Sequence, residues 1–348
     1  LSDMDGDGLF TFYDLNHSSN ANHISDLNNN GFIDAGDLLI DQNWSDGADT
    51  DGNGFTDDFV GWDFVNNDNN PFDDNAHGTH VSGTIGGIGN NGTGVVGVNW
   101  NAQIMAIKFL NAHGSGSTFG AVQSVQYATA MGAQLTSNSW GGGGSSTALY
   151  NAIDASRNAG MLFIAAAGNA ASNNDFSPSY PANYELDNVI SVAATDRHDN
   201  RASFSNYGAE TVDLGAPGVS ILSTTPNNGY SSFNGTSMAT PHVAGVAALA
   251  WSTTPNATYQ DIRDAIFSGV DPLPSMANIT VTGGRLNAFT TLQNLNPHQG
   301  SIELDKDIYG LSNTIEVAVY DADLDVNPSM PDTTTIEISS TTETTPEV

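Results

Sequence analysis

Apolar positions between residues 103 and 195 follow two alternating rhythms. Residues 103–110, 135–139 and 188–195 read as strands, and residues 161–166 as a short apolar run of strand length. Between them, residues 118–132 set Phe119, Val122 and Val125 at helical spacing, and residues 146–159 read as a second helix. Strands alternating with helices predict an α/β fold, a three-layer doubly wound arrangement around a mostly parallel sheet with right-handed crossovers. Strands covered on both faces lose the apolar-polar alternation and become continuous apolar runs, as residues 161–166 do. Ligands in such sheets bind beyond the carboxyl ends of the strands, so the chemistry is expected there. Further on, the small apolar run through Ala250 predicts a buried helix beginning near Ser237.

Both ends of the chain depart from this rhythm. Past Pro297, the pairs Ile302/Leu304, Val317/Val319 and Ile336/Ile338, with Ile315, alternate with polar residues as half-buried strands do. Those roughly fifty residues are about half of an immunoglobulin-like sandwich. Before residue 61 no strand or helix rhythm stands out, and Asp, Asn and Gly are abundant. The expected organisation is an Asp/Asn-rich region over 1–60, an α/β domain over 61–296, and the start of a β-sandwich-like domain, cut off at Val348, over 297–348.

Charge narrows the functional classes. The chain carries 39 acidic and seven basic side chains, a formal charge of −32. Residues 1–75 alone hold seventeen Asp and no Lys, Arg or Glu. Such a surface repels phosphate backbones and anionic lipid, which argues against nucleic-acid binding. No run of eighteen apolar residues exists, so no membrane span is expected. The lack of cysteine excludes thiol catalysis, disulfides and Cys-type zinc sites.

The acidic region contains a repeat. DMDGDGLFTFYD from Asp3, DLNNNGFIDAGD from Asp26 and DTDGNGFTDDFV from Asp49 recur at a constant offset of 23 residues. The first two fit a calcium loop, with oxygen ligands at positions 1, 3 and 5, glycine at 6 and a carboxylate at 12. Asp3, Asp5, Asp7 and Asp14 are candidate ligands of one Ca2+ ion, and Asp26, Asn28, Asn30 and Asp37 of another. The third copy ends in Val60, so its candidates are Asp49, Asp51, Asn53 and Asp57 or Asp58. Asp in place of Glu at position 12 resembles the shorter calcium loops of dockerin-type modules. Solvated Asx turns are the plain alternative.

Three further motifs carry catalytic chemistry. His77 opens His-Gly-Thr-His-Val-Ser-Gly-Thr, where small residues leave an imidazole free to face a cleft. Ser237 lies in Gly-Thr-Ser-Met-Ala-Thr-Pro-His-Val-Ala-Gly, where unpaired N–H groups at a helix start favour developing negative charge. Asn169 closes Ala-Ala-Ala-Gly-Asn after an apolar strand, where its amide could either close a turn or donate to an oxyanion. Taken singly, each has a structural reading: a core histidine, a capping serine, a turn asparagine.

Together these motifs resemble the subtilisin-like serine peptidases (subtilases), over most of residues 55–295 and in that family's order. The resemblance implies a serine endopeptidase acting on polypeptide substrates, with His77 as general base, Ser237 as nucleophile, and Asn169 with the Ser237 N–H as oxyanion donors. It further implies that Ser139, Trp140 and Gly141 pair with an extended substrate and wall its primary pocket. Ala166, Ala167 and Gly168 would line the opposite side, and Gly114 and Gly116 a second substrate-pairing edge. A secreted or cell-surface, monomeric, calcium-stabilised protein is expected from the acidity, the calcium-type loops and this reading.

The family's Asp, at the end of a first core strand before the His, has no Asp-Ser-Gly or Asp-Thr-Gly counterpart here, and every Asp before His77 reads as loop. The expectation is that this strand precedes Leu1 and that residues 1–348 alone are nearly inactive, since losing the acid costs roughly 10⁴ in rate. An α/β-hydrolase is excluded, because Gly-Thr-Ser-Met-Ala is not Gly-x-Ser-x-Gly and the base precedes the nucleophile. The rival from another class is a non-catalytic calcium-binding or adhesion scaffold. His17, His23, His80, His113, His198, His242 and His298 are read as structural or solvated.

Overall fold

A computed structural model describes residues 1–4, 6, 10–295, 301–304 and 317–320. Asp5, Asp7, His298, Ile315, Ile336 and Ile338 lie outside the described residues. In chain order the elements begin with α1 (Phe12–Leu15), α2 (Ala35–Ile40), β1 (Gly61–Asp63), α3 (His77–Gly86), β2 (Ala106–Lys108) and α4 (Thr118–Ala130). There follow β3 (Leu135–Asn138), α5 (Thr147–Asn158), β4 (Leu162–Ala166), β5 (Val189–Thr195), β6 (Leu214–Pro217), β7 (Ile221–Thr225) and β8 (Gly229–Phe233). The chain continues through α6 (Thr236–Thr253), α7 (Tyr259–Ser268), β9 (Asp271–Pro272), β10 (Gly284–Arg285) and α8 (Ala288–Leu295). Two antiparallel strands, β11 (Ser301–Leu304) and β12 (Val317–Tyr320), come last.

The main sheet has the order β3-β4-β5-β6-β10-β9, parallel throughout except for β9. Alternating side chains send its two faces to different helices. Leu162, Ile164, Ile190, Val192 and Leu214 pack with Ala239, Val243, Ala244 and Ala247 of α6 and Ile262 and Ile266 of α7. Phe163, Ala165 and Val189 face Val125 and Ala128 of α4 and Leu149, Ala152 and Ile153 of α5. Both faces are covered, which is why β4 and β5 read as unbroken apolar runs.

Local chemistry sets the helix starts. Ser117 and Ser146 accept the N–H of Gly120 and Leu149, and Thr258 forms a capping box with Asp261, so each helix begins at a side-chain oxygen. α4 differs from its sequence pattern in one respect. Val125 is buried, but Phe119 is 70 % exposed and belongs to no core cluster.

Two features differ from the sequence reading. Residues 103–110 supply only β2, and β2 pairs in parallel with β1 in a separate two-stranded sheet. And one Asp before His77 does end a strand: Asp63 closes β1, 1 % exposed. The strand Gly-Trp-Asp is too short to register as an apolar run. The Asp63 carboxylate takes Lys108 Nζ at 3.0 Å, the Val65 N–H at 2.6 Å and the Asn66 side chain at 3.0 Å. It is spent on a buried ion pair and a turn, not on His77.

The acidic region has its own small core, Leu15, Ile24 and Leu38, with Ile33, Trp44 and Val60 against it. Its third loop is fastened to the α/β core. Phe55 packs edge-on against Trp62, Phe64 and Tyr127 at 4.8–5.9 Å, and the Tyr127 hydroxyl donates to Asp58 Oδ2 at 2.6 Å. Burial and this carboxylate push the Tyr127 phenol well above its ordinary value.

Candidate active site

His77 is the first residue of α3, entered from Ala76 in the left-handed region at φ 84° with no side-chain cap. The cap comes instead from Asp73. Its Oδ1 accepts the N–H of Asn75 and Ala76 at 2.9 Å each, and its Oδ2 accepts the Thr79 N–H and hydroxyl at 2.7 Å each. Burial pushes this carboxyl up, but the Thr79 and turn N–H bonds outweigh it and hold it below its ordinary value. The His77 ring is half-buried and makes no hydrogen bond among the described residues. Burial lowers its pKa, the Asp73 charge opposes that shift, and His80 reinforces it.

Ser237 lies in the first turn of α6, on the side of the sheet that α3 also occupies: α3 packs on α6 and on β7. Ser237 and Ser139 are tied twice. Ser237 Oγ donates to the Ser139 carbonyl at 3.1 Å, and Ser139 Oγ donates to the Ser237 carbonyl at 2.8 Å. The second bond has a cause in the sequence. Pro241 lies inside α6 and has no N–H, so the carbonyl four residues earlier, that of Ser237, lacks its helical partner. The Ser139 hydroxyl fills that vacancy.

Asn169 follows β4 and is held by its own carbonyl. Its Oδ1 accepts the Thr236 N–H at 2.8 Å and the Thr236 hydroxyl at 3.1 Å. That fixes the amide orientation and leaves Nδ2 without a protein partner among the described residues. A Cβ placed on Gly235 would lie 3.5 Å from the Ser237 amide nitrogen and 3.6 Å from Asn169 Nδ2. Two N–H donors thus flank one point that only glycine leaves open. Gly168, at φ 109°, is required as well, since a Cβ there would fall 2.5 Å from Asn206 Nδ2. Asn206 braces this loop, accepting the Ala170 N–H at 2.8 Å and donating to the Ala167 carbonyl at 3.0 Å. Asp73, Pro241 and Asn206 went unmarked in the sequence. A capping Asp four residues before His77 and a proline four after Ser237 were the available signals.

The residues expected around the substrate are partly brought together. Trp140 packs edge-on against Phe109 at 5.0 Å, its indole N–H on Asn138 Oδ1 at 3.2 Å. Gly141 lies beside the Tyr180 carbonyl, 3.3 Å from where its Cβ would be. Ala166 is 6 % exposed, and Ala167 is fully buried against Ala193, Val212 and Met276, so its side chain lines no open surface. Gly114 sits in a turn closed by the Asn111 N–H on the Ser115 carbonyl at 2.9 Å, and Gly116 presses on Phe109. Neither belongs to a strand.

In the acidic loops the repeat is visible as repeated bonding. Asp26 accepts the Asn30 and Gly31 N–H at 3.1 and 2.8 Å, and Asp49 accepts the equivalent Asn53 and Gly54 N–H at 3.1 and 2.8 Å. Asn28 Oδ1 and Asp51 Oδ1 converge on those same Asn N–H groups at 3.0 and 3.1 Å. Asp34 carboxylate oxygens close the second loop on Asn28 and Asn30, and Asp58 closes the third on Asn53. The position-12 residues behave differently. Asp14 and Asp37 are fully buried, and their oxygens accept backbone N–H groups of Met4 and Thr11, and of Leu27, Asn28 and Asp34. Asp57 accepts the Gly47 N–H at 2.9 Å, and Asp3 the Gly6 N–H at 2.7 Å. The loops are of the right donor chemistry for a hard cation, carboxylates mixed with amide oxygens. Among the described residues, no three His, Cys, Asp or Glu side chains form a ready metal cluster.

Comparison with known proteins gives the family. The profile of the Subtilase family matches residues 13–294. Thermitase of Thermoactinomyces vulgaris is 42% identical over 233 residues, 67% of this chain and 80% of that protein. Subtilisin DY of Bacillus licheniformis is 46% identical over 209 residues, 60% of this chain and 75% of that protein. The crystal structure of a cold adapted subtilisin-like serine proteinase superposes with a TM-score of 0.56 at 38% identity, covering 65% of this chain and 78% of the other.

Proposed function

The chain belongs to the subtilase family of serine endopeptidases, and from that premise we propose that His77 and Ser237 are its general base and nucleophile. The observation that carries the reading is the pair of donors flanking Gly235, the Ser237 N–H and the tethered Asn169 amide. An oxyanion formed by attack of Ser237 Oγ on a peptide carbonyl would be received there without reorganisation of the site. In this reading Ser237 Oγ gives up its bond to the Ser139 carbonyl for one to the His77 ring. His77 then takes the hydroxyl proton as Oγ attacks, and returns it to the leaving amine.

No described carboxylate is in hydrogen-bond contact with His77, so none is assigned as the triad acid; Asp73 acts on the ring only through its charge. The pocket wall is assigned to Ser139, Trp140, Gly141, Ala166 and Gly168. The acidic loops are assigned Ca2+. The position-12 residues Asp14 and Asp37, expected as ligands, spend their oxygens on backbone N–H groups. Asp26, Asn28 and Asn30, with Asp34 in place of Asp37, would therefore hold one ion, and Asp49, Asp51, Asn53 and Asp58 another. Asp3, Asp5 and Asp7 of the first loop would hold a third, all supplying stability rather than chemistry. An acidic surface with calcium-type loops fits a secreted or cell-surface monomer. Among the described residues no helix is long and apolar enough to cross a membrane.

The deciding experiment is covalent labelling, with a fluorophosphonate probe, of a form of the protein that carries the triad Asp. Labelling confined to Ser237 and lost in His77→Ala is expected. A folded wild-type protein that takes up no label would instead favour the non-catalytic scaffold. Calorimetric titration with Ca2+ should register at least two sites, and an absence of binding heat would remove the metal assignment.

A further inference from the structure

His80 is completely buried, one helical turn beyond His77. Its Nε2 lies 3.0 Å from the Ile221 carbonyl in β7 and 3.1 Å from the Ser231 carbonyl in β8. A carbonyl only accepts, so Nε2 carries the proton and shares it between the two strands. The ring is stacked on Phe233, centroids 4.3 Å apart and 11° from parallel. Its backbone is fastened too: Ser223 Oγ donates to the His80 carbonyl at 2.7 Å, and Thr224 Oγ1 to the Thr79 carbonyl at 2.9 Å. The helix comes close enough for this only because residue 83 is glycine; a Cβ there would fall 2.1 Å from Thr224 Oγ1.

Every one of these contacts joins the helix that begins with His77 to the hairpin that runs directly into Ser237. Phe233 is four residues ahead of the serine, and α3 carries the imidazole at its first position. Resting on the assignment of His77 and Ser237 above, we propose that His80 is a positioning residue: it locks the helix of the base to the strands leading into the nucleophile and so sets the separation of the reacting pair. Nothing else about a buried imidazole demands two carbonyl partners on two different strands. A hydrophobic ring of equal size would fill the space as well, and without leaving Nδ1 unpaired in the interior, as it is here. The groups packed around the His80 ring are Phe233 and the Ile221 and Ser231 backbone, with Ser223, Thr224 and Thr84 hydroxyls at the helix carbonyls. The charged group acting on His77 besides His80 is Asp73.

The test is the kinetics of fluorophosphonate labelling in wild type, His80→Ala and His80→Gln, well below the melting temperature. The maximal labelling rate is expected to fall roughly a hundredfold in His80→Ala, the order of effect of a displacement of about 1 Å. The probe concentration giving half that rate should not move, because probe binding does not involve the base. His80→Gln, which keeps an amide N–H near the position of Nε2, should recover most of the rate and the wild-type pH profile; a residue that only stabilises the fold would change the melting temperature and leave both untouched. A folded His80→Ala protein labelled at the wild-type rate with the wild-type pH profile overturns the inference. If near-ultraviolet circular dichroism shows that His80→Ala has not folded, the comparison passes to Ser223→Ala and Thr224→Val, which remove single ties to α3; unchanged labelling in both overturns it equally. A wild type that folds but never labels is a different failure, for it strikes the assignment of His77 and Ser237 and leaves His80 with nothing to position.

Discussion

Leu162, Phe163 and Ile164 expose no surface at all, whereas the acidic region rests on three buried apolar side chains, Leu15, Ile24 and Leu38. The sheet is held by apolar area removed from water on both faces, which needs no particular partner atom. The region before residue 61 is held by carboxylates accepting backbone N–H groups, each bond directional and local. Their carboxyl groups are shifted in both directions, although N–H bonds also hold Asp73 of the α/β domain below its ordinary value. Backbone N–H bonds lower the pKa of Asp14 and Asp49, whereas burial raises Asp213, at the edge of β6, to about 7. One half of the molecule is stabilised by ionised Asp, and the other carries an Asp it would rather keep neutral.

The sharpest way to break this contrast is to hollow the sheet. Phe163→Ala should cost about 3–5 kcal/mol and lower the single main denaturation transition, read by urea titration. An equal loss confined to the first sixty residues would mean that the halves are not held differently. Withdrawing Ca2+ should act in reverse. At an ion concentration about a thousandfold over Kd, a site stabilises by about 4 kcal/mol. Chelation should therefore speed amide exchange in residues 10–58 while β4 and β5 stay protected. Exchange that rises first in the sheet would sink the assignment.

Acidity separates the regions further. Asp213 has its folded pKa raised above the ordinary 3.8, so its contribution is full below about pH 4 and is lost as pH rises through about 7. Asp213→Asn should melt higher than wild type at pH 8, and the two should converge near pH 4. Asp14 and Asp49 have folded values below 3.8, so what they contribute is present above that pH and lost as pH falls through their folded pKa. Acidification below about pH 4 should loosen the N-terminal region before the sheet. The smallest effect belongs to the fastening between the halves. Tyr127→Phe should cost about 1–2 kcal/mol through the lost bond to Asp58, seen as faster exchange in residues 49–58 alone.

Where the sequence was legible, a period was present. Residues 135–139, 146–159 and 188–195 return as β3, α5 and β5 within a residue or two, because burial on defined faces forces the pattern. The 23-residue repeat likewise returns as matching bonds at Asp26 and Asp49. Phe119 misled, since spacing marks a helix but not which side meets the core. Asp63 was hidden because three residues carry no period. His80 read as one more structural histidine: its partners at Ile221 and Ser231 lie 141 and 151 residues away, and nothing beside it announces them. Asn169 and Ser237 could be found from their motifs, but the tether to Thr236 and the bracing by Asn206 depend on contacts that only the folded chain creates.

Pro241 leaves the α6 ladder one rung short, and the Ser139 hydroxyl takes up the slack. The strand expected to greet a substrate and the turn bearing the nucleophile are thereby riveted into one plate. A guest that shoves the end of β3 aside must drag Ser237 with it, so a poor fit at the wall would be felt as sluggishness at the reacting oxygen.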